Sequence, residues 1–574
     1  MNSTLCPLRP SPTLRITALS LILFLHGLLP ILAQDISGGA DLRKDIAGGA
    51  VGVLKVPRNT PRRPPVSSFQ PRENAHTAQG SSRGGGGRKQ ATHAPVPKPL
   101  TAEDYNAKGN KFFDDQNYDE AIAAYKQAIR LKPTYADAYY NLGDAYFNKP
   151  SYPEAAEAYK QAVRYKPDLA DAYNGLADAL YSQGKDKYDE AIPAYQQTIR
   201  RKPENASTKL ELASAQHNLG VIYFKQEKYS EAVGPLKEAV RLQPQDWEAY
   251  NYLGQAYDYL KQYNDAVEAY HQAGQKNPNL PEAHLNEAAA LYNAGRYEEA
   301  ITAYNQFLQM KKDYPGVYGS IGDAYLRLNK FPEAADNYKH AVLLKQADAD
   351  IYNNLGFASN RLKRFTDAVQ AYRSALSLKP DLVEAYTNMG YALGKSKSFA
   401  EAVDALKKAI SLKPDDVEAY TNLGWVYNNS GHPEQALDPL KKALQLNPNY
   451  PAAQFNLGFA YSKLGNYRES AAAFKEAIRL KPEWAEAYNN LGFAYGHLSQ
   501  WNDAIEAHKQ AIRLNPDYAG AYYNLGVVYF QSGNRSAAVE QYNALRTLNP
   551  ILAENLYVII YKRKPPSTGS SQPY

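Results

Sequence analysis

From Ala102 to Leu552 the chain repeats itself every 34 residues, and this period constrains the fold more than any other feature. The phrase AEAYNNLGFAYGHLSQWNDA (Ala485–Ala504) returns as VEAYTNLGWVYNNSGHPEQA (Val417–Ala436) and as ADAYYNLGDAYFNKPSYPEA (Ala136–Ala155). Thirteen units fill the span, once a two-residue insertion near Lys185 and a seven-residue insertion around Ser207 are allowed for. A unit this short buries little by itself and must stack on its neighbours.

Within a unit, position 4 is Tyr in ten cases (Tyr105, Tyr139 and Tyr488 among them) and position 8 is Gly in eleven. Position 20 is Ala in twelve units and Ser470 in the other, and position 32 is Pro in eleven. Small residues at 8 and 20 let two helices approach, and large ones at 4 and 24 fill the space beside them. Proline at 32 stops the second helix. The unit reads as an antiparallel helix pair.

This pattern of an aromatic, Leu-Gly, Tyr, Ala, a bulky residue, Ala and Pro resembles the tetratricopeptide repeat family. The resemblance implies an all-α solenoid, a right-handed superhelix of about 13 helix-turn-helix repeats over residues 102–552. It is similar to the repeat region of O-GlcNAc transferase, without a catalytic domain. Departures gather in units four to seven: the insertion around Ser207, Glu287-Ala288 in place of Leu-Gly, and Lys312 and Gln346 in place of Pro. Residues 553–564 place Ala553, Leu556, Tyr557 and Ile560 on one face and read as a capping helix, with 565–574 a disordered tail.

What precedes the repeats differs in kind. Residues 1–33 pair Arg9 and Arg15 with the apolar run Ile16–Ala33, broken by Pro30, and read as a signal peptide. A signal anchor holding the repeats outside the cytosol is the alternative. Residues 34–101 are rich in Gly, Pro, Ser and Arg, with 11 Lys/Arg against 4 Asp/Glu, and read as a disordered basic linker. The chain is therefore expected to be exported, to periplasm, cell envelope or medium. Residues 102–574 hold 52 Lys/Arg against 55 Asp/Glu, a balance that argues against a nucleic-acid partner.

Chemistry finds little purchase. Cys6 is the only cysteine, and the ten His show neither metal-ligand spacing nor an H-E-x-x-H motif. Glycine-rich phosphate loops and nucleophile elbows are missing from the sequence, so no catalytic, cofactor or metal residue is expected. The nine acids at position 2, from Glu103 to Glu486, are expected at helix starts, where the dipole favours them.

Binding is the remaining expectation. At about 100° per residue, positions 2, 5, 6, 9, 12 and 13 of the first helix lie opposite the core positions. In the family that side lines the concave groove. Position 6 is Asn in nine units: Asn141, Asn218, Asn286, Asn354, Asn388, Asn422, Asn456, Asn490 and Asn524. Such a ladder suits an extended peptide backbone, or bonds between neighbouring repeats. Position 9 begins polar, with Asn110, Asp144 and Asp178, and turns aromatic at Phe357, Tyr391, Trp425, Phe459 and Phe493. Position 13 adds Arg327, Arg361, Lys395 and Lys463. An aromatic floor with a basic rim suits a partner protein or extended peptide, with a glycan as the alternative; sideways packing between repeats is the competing reading. Lys is absent from position 5 of every unit, which disfavours the carboxylate clamp of chaperone-binding relatives.

Overall fold

Helix pairs follow directly from local chemistry. Tyr139, Leu142, Gly143 and Tyr146 recur at helical spacing, and the second helix ends where a proline removes the next amide donor. Lys132, just before Pro133, is extended at φ −136 and ψ 85, as a residue preceding proline must be. At the first helix Thr101 closes a reciprocal cap with Asp104: the Thr101 Oγ1 accepts from the Asp104 amide at 3.1 Å, and the Asp104 carboxylate accepts from the Thr101 amide at 2.9 Å.

The structure, a computed structural model, describes residues 99–561 apart from Ser207, Lys345 and Gln346, and Pro315 in its backbone alone. The expected signal segment, almost all of the expected linker, and the tail lie outside the described residues. Among those described there are 27 α-helices and no strand. They fall into two units, one ending at Pro414 and one beginning at Asp415. Each is a stack of helix hairpins, an α-solenoid architecture, with first and second helices typified by Ala136–Asn148 and Tyr152–Tyr165.

The small residues act by allowing contact. A β-carbon on Gly143 would stand 2.6 Å from the Tyr159 ring, and one on Gly390 2.5 Å from Leu406 Cγ. Position 8 thus seats against position 24 of its own repeat. Ala121, Ala155, Ala266 and Ala402, all at position 20, have no exposed surface. Ser470 is tolerated there because its hydroxyl donates to the Gly458 carbonyl at 2.8 Å.

The irregular middle keeps its hairpins. The insertion near Lys185 forms one tight turn, Lys185–Lys187. Part of the insertion around Ser207 lengthens the next helix to 17 residues, Lys209–Lys225. Glu287 is buried, and His271 Nδ1 lies 2.9 Å from its carboxylate. At the far end Pro550–Tyr561 forms a helix that buries Leu552, Ala553, Leu556, Tyr557 and Ile560 against the last hairpin. It begins three residues before the expected start at Ala553.

Candidate binding surface of the repeats

The first helix of each repeat carries positions 6, 9 and 13 on one side, so their surroundings decide what a ligand could reach. In the unit ending at Pro414, position 9 is a hydrogen-bond hub at Asn110, Asp178 and Asp323. Tyr195 OH donates to Asp178 Oδ1 at 2.6 Å, and Asn218 Nδ2 donates to the same oxygen at 3.2 Å. Asp323 receives Tyr338 OH at 2.5 Å and Asn354 Nδ2 at 2.9 Å. Asn110 receives Tyr125 OH at 2.9 Å and Asn141 Nδ2 at 3.1 Å. Position 24 of one repeat and position 6 of the next therefore meet on one acceptor. Burial and the Asp178 charge push the Tyr195 hydroxyl well above the usual tyrosine range, keeping it a donor.

The asparagine ladder is thus largely consumed by the stack. Asn354, Asn388, Asn422, Asn456, Asn490 and Asn524 are buried; Asn141, Asn218 and Asn286 are half-buried. Asn524 Nδ2 donates to Asn489 Oδ1 at 3.1 Å, and Asn286 Nδ2 reaches Asn251 Oδ1 at 3.4 Å. The expectation of a water-facing amide row is corrected: successive first helices pack closely enough to enclose it.

The aromatic floor needs the same correction. Phe357, Trp425 and Phe459 are 6%, 3% and 6% exposed; only Tyr391 and Phe493 keep partial access. Phe357 meets Phe331 edge-on at 6.5 Å in the unit ending at Pro414, and in the other unit Phe493 meets Tyr467 at 6.4 Å. As position 9 turns aromatic from Tyr391 on, position 24 loses its tyrosine, to Leu406, Leu440, Phe474 and His508. The ring fills space that a hydroxyl–carboxylate pair occupies elsewhere.

The rim cations rest on rings. Arg361 lies 4.8 Å over Phe331, Lys395 5.5 Å over Tyr391 and Lys463 5.2 Å over Phe459. Arg327 donates to Tyr292 OH at 3.3 Å. Burial, with Lys363 nearby, holds the Lys395 ammonium below the usual lysine range.

A tetratricopeptide repeat description ("TPR repeat") matches residues 109–149, 151–184 and overlapping stretches from 322 to 533. Further tetratricopeptide repeat models match 168–245, 253–315 and 519–551. The chain belongs to the tetratricopeptide repeat family. No curated protein matches it in sequence. Among solved structures, the tetratricopeptide repeats here are similar to the APC/C hetero-tetramer Cut9-Hcn1, at 16% identity over 80% of this chain and 97% of that one, with a TM-score of 0.37. YrrB, described as a TPR protein with an unusual peptide-binding site, is 24% identical over 33% of this chain and 96% of its own, with a TM-score of 0.31. MamA is 29% identical over 29% of this chain and 96% of its own, with a TM-score of 0.27.

Two further features of these tetratricopeptide repeats escape a reading of one helix at a time. The position-2 acids do more than complement helix starts. Lys132 pairs with Glu103 at 2.9 Å, Lys166 with Asp137 at 3.4 Å, Lys202 with Asp171 at 2.5 Å and Lys311 with Glu282 at 2.6 Å. The recurrence of Lys at position 31 beside an acid at position 2 was the available signal. His508 stands at position 24, where it is fully buried and its titration is pushed down to about 3 by that burial. Its Nδ1 lies 3.0 Å from Asn489 Oδ1. Among the described residues, no group of three or more His, Cys, Asp or Glu is arranged to hold a metal ion, and no helix is long and apolar enough to cross a membrane.

Proposed function

We propose that this chain is an exported scaffold that holds extended segments of partner proteins on its repeats and performs no chemistry itself. Membership of a family built for protein recognition supports binding as the mode of action. The observation that carries the reading is the set of first-helix cations, Arg361, Lys395 and Lys463, each laid on an aromatic ring. A cation fixed on a ring has already lost most of its rotamer freedom, so engaging a carboxylate or carbonyl costs less.

A peptide suits this surface better than a glycan. Sugar stacking needs open ring faces, and Phe357, Trp425 and Phe459 offer almost none. A backbone and its acidic side chains need only the cation heads. The apolar run Ile16–Ala33 supports export; amino-terminal sequencing of the mature chain should then begin at Gln34.

The direct test is photo-crosslinking. The full chain, labelled at Arg361, Lys395 or Lys463, is irradiated in native extract and analysed by mass spectrometry. A small, reproducible set of polypeptides is expected. Crosslinks no richer than those from a label at exposed Leu131 would refute the reading.

A further inference from the structure

The turn cations of repeats seven to nine differ from those of earlier repeats, where Lys149, Lys187 and Arg296 pair with Asp119, Glu190 and Glu299. At the edge where one repeat hands over to the next, Lys132, Lys166, Lys202 and Lys311 of repeats one, two, three and six are neutralised by acids about 30 residues earlier, as in Lys132–Glu103 and Lys311–Glu282. At the opposite edge, where first helix turns into second, repeats seven to nine read RLNKFPE, RLKRFTD and KSKSFAE. These turns carry Arg327, Lys330, Arg361, Lys363, Arg364, Lys395 and Lys397 against Glu333, Asp367 and Glu401. Among the described residues none of Lys330, Arg361, Lys363, Arg364 or Lys397 is in an ion pair with a carboxylate, and Glu401 is already held by Arg373 at 2.6 Å. The same turn of the first repeat has the opposite sign, with Asp114, Asp115, Asp119 and Glu120.

The backbone makes the choice of lysine costly. The residue closing the first helix adopts a left-handed conformation, and Gly295, Gly431 and Gly465 meet it with glycine. Lys363 and Lys397 stand there instead, at φ 59 and 66, as Gln116, Glu227, Lys261, Asn329 and Ser499 do in other repeats, although a side chain is disfavoured there. Both side chains are exposed. Lys363 also lies close enough to Lys395 to disfavour its charge.

We infer that the turn edge of repeats seven to nine is a docking strip for an acidic, extended polypeptide segment, with Lys363 and Lys397 its central contacts. This rests on the scaffold reading above and names its ligand class. The interleaved Glu333, Asp367 and Glu401 favour a polypeptide over a continuous polyanion. A phosphate backbone or an anionic lipid surface would meet those carboxylates as well as the cations. Adjacent first helices stand about 10 Å apart, roughly three residues of extended chain. Acidic side chains at that interval can meet the cations and pass between the carboxylates.

The test uses the full chain and fluorescence anisotropy of a labelled peptide with Glu at every third position and Gly and Ser between. Saturable binding is expected, weakening steeply with salt. The double variant Lys363→Gly/Lys397→Gly should lose about tenfold or more in affinity, while its thermal midpoint holds or rises. Lys132→Gln/Lys166→Gln at the neutralised edge should bind as the parent does. No binding of the peptide at low salt, or undiminished binding by the glycine variant, overturns the inference. So does equal, Lys363-dependent binding of an oligothymidylate or of phosphatidylglycerol vesicles. Failure of the scaffold reading looks different: the crosslinker captures no polypeptide. If polypeptides are captured equally by parent and glycine variant, the scaffold reading stands and the strip does not.

Discussion

In repeats three and seven position 9 is an acid that gathers hydrogen bonds; in repeats ten and eleven it is a buried ring, and Asn428 Nδ2 donates to the Asn456 carbonyl between those two repeats at 2.9 Å. In the former, Asp178 and Asp323 gather a tyrosine hydroxyl and the next repeat's amide. In the latter, Trp425 and Phe459 are buried, and so are Leu440 and Phe474 at position 24, residues without a hydroxyl. The backbone hairpin is common to both. One fold therefore tolerates two junction chemistries; positions 9 and 24 change together from Tyr391 to Phe493, while in repeat eight Phe357 stands with Tyr372, whose hydroxyl accepts from Asn360 at 3.1 Å instead. A lone change without such a substitute partner leaves either a cavity or an unpaired buried polar group.

The sharpest way to break the comparison is at an apolar junction. Trp425→Ala should destabilise the unit beginning at Asp415 by about 3–5 kcal/mol, the cost of emptying a large buried site. Chemical denaturation followed by circular dichroism reads it. At a polar junction Asp323→Ala strands the buried Tyr338 hydroxyl and should cost about 1–3 kcal/mol. Asp323→Phe with Tyr338→Leu should recover part of that loss. A double-mutant cycle showing no coupling would mean the two positions do not form one device.

His508 lets pH separate the regions. Its folded-state titration lies at about 3, against an ordinary value of 6.5. Below pH 6.5 the unfolded chain takes up a proton that the folded site refuses, so stability is lost as pH falls through that window. The slope approaches about 1.4 kcal/mol per pH unit, near 2 kcal/mol by pH 5. His508→Leu should flatten the acid limb of the stability curve; a parallel limb in the variant would assign the acid sensitivity elsewhere. The smallest effect is expected at the neutralised edge. Lys166 and Asp137 are exposed, so Lys166→Gln should move the thermal midpoint by no more than about a degree.

The hairpin could be read from the chain because its determinants are local. Gly143 and Tyr159, Ala155 and Pro167 lie within one repeat, and helical periodicity fixes which of them face each other. The position-9 aromatics could not be assigned in the same way. Phe357 and Trp425 lie on the side of the first helix opposite its own partner, so one helical wheel places them in water. Whether water reaches them depends on how closely the next hairpin stacks. That spacing arises from contacts between repeats, such as Asn354 with Asp323, separated by 31 residues.

The strip of turn cations shows the same division. Arg361, Lys363 and Lys397 are plain in the sequence. Their lack of carboxylate partners, against the pairing of Lys132, Lys166 and Lys202, emerges once the helices are placed. By itself the sequence determined the period, the hairpin and the family, because steric fit within 34 residues leaves one solution. The tertiary structure decided which side chains remain for a partner, because burial and charge neutralisation are set between repeats.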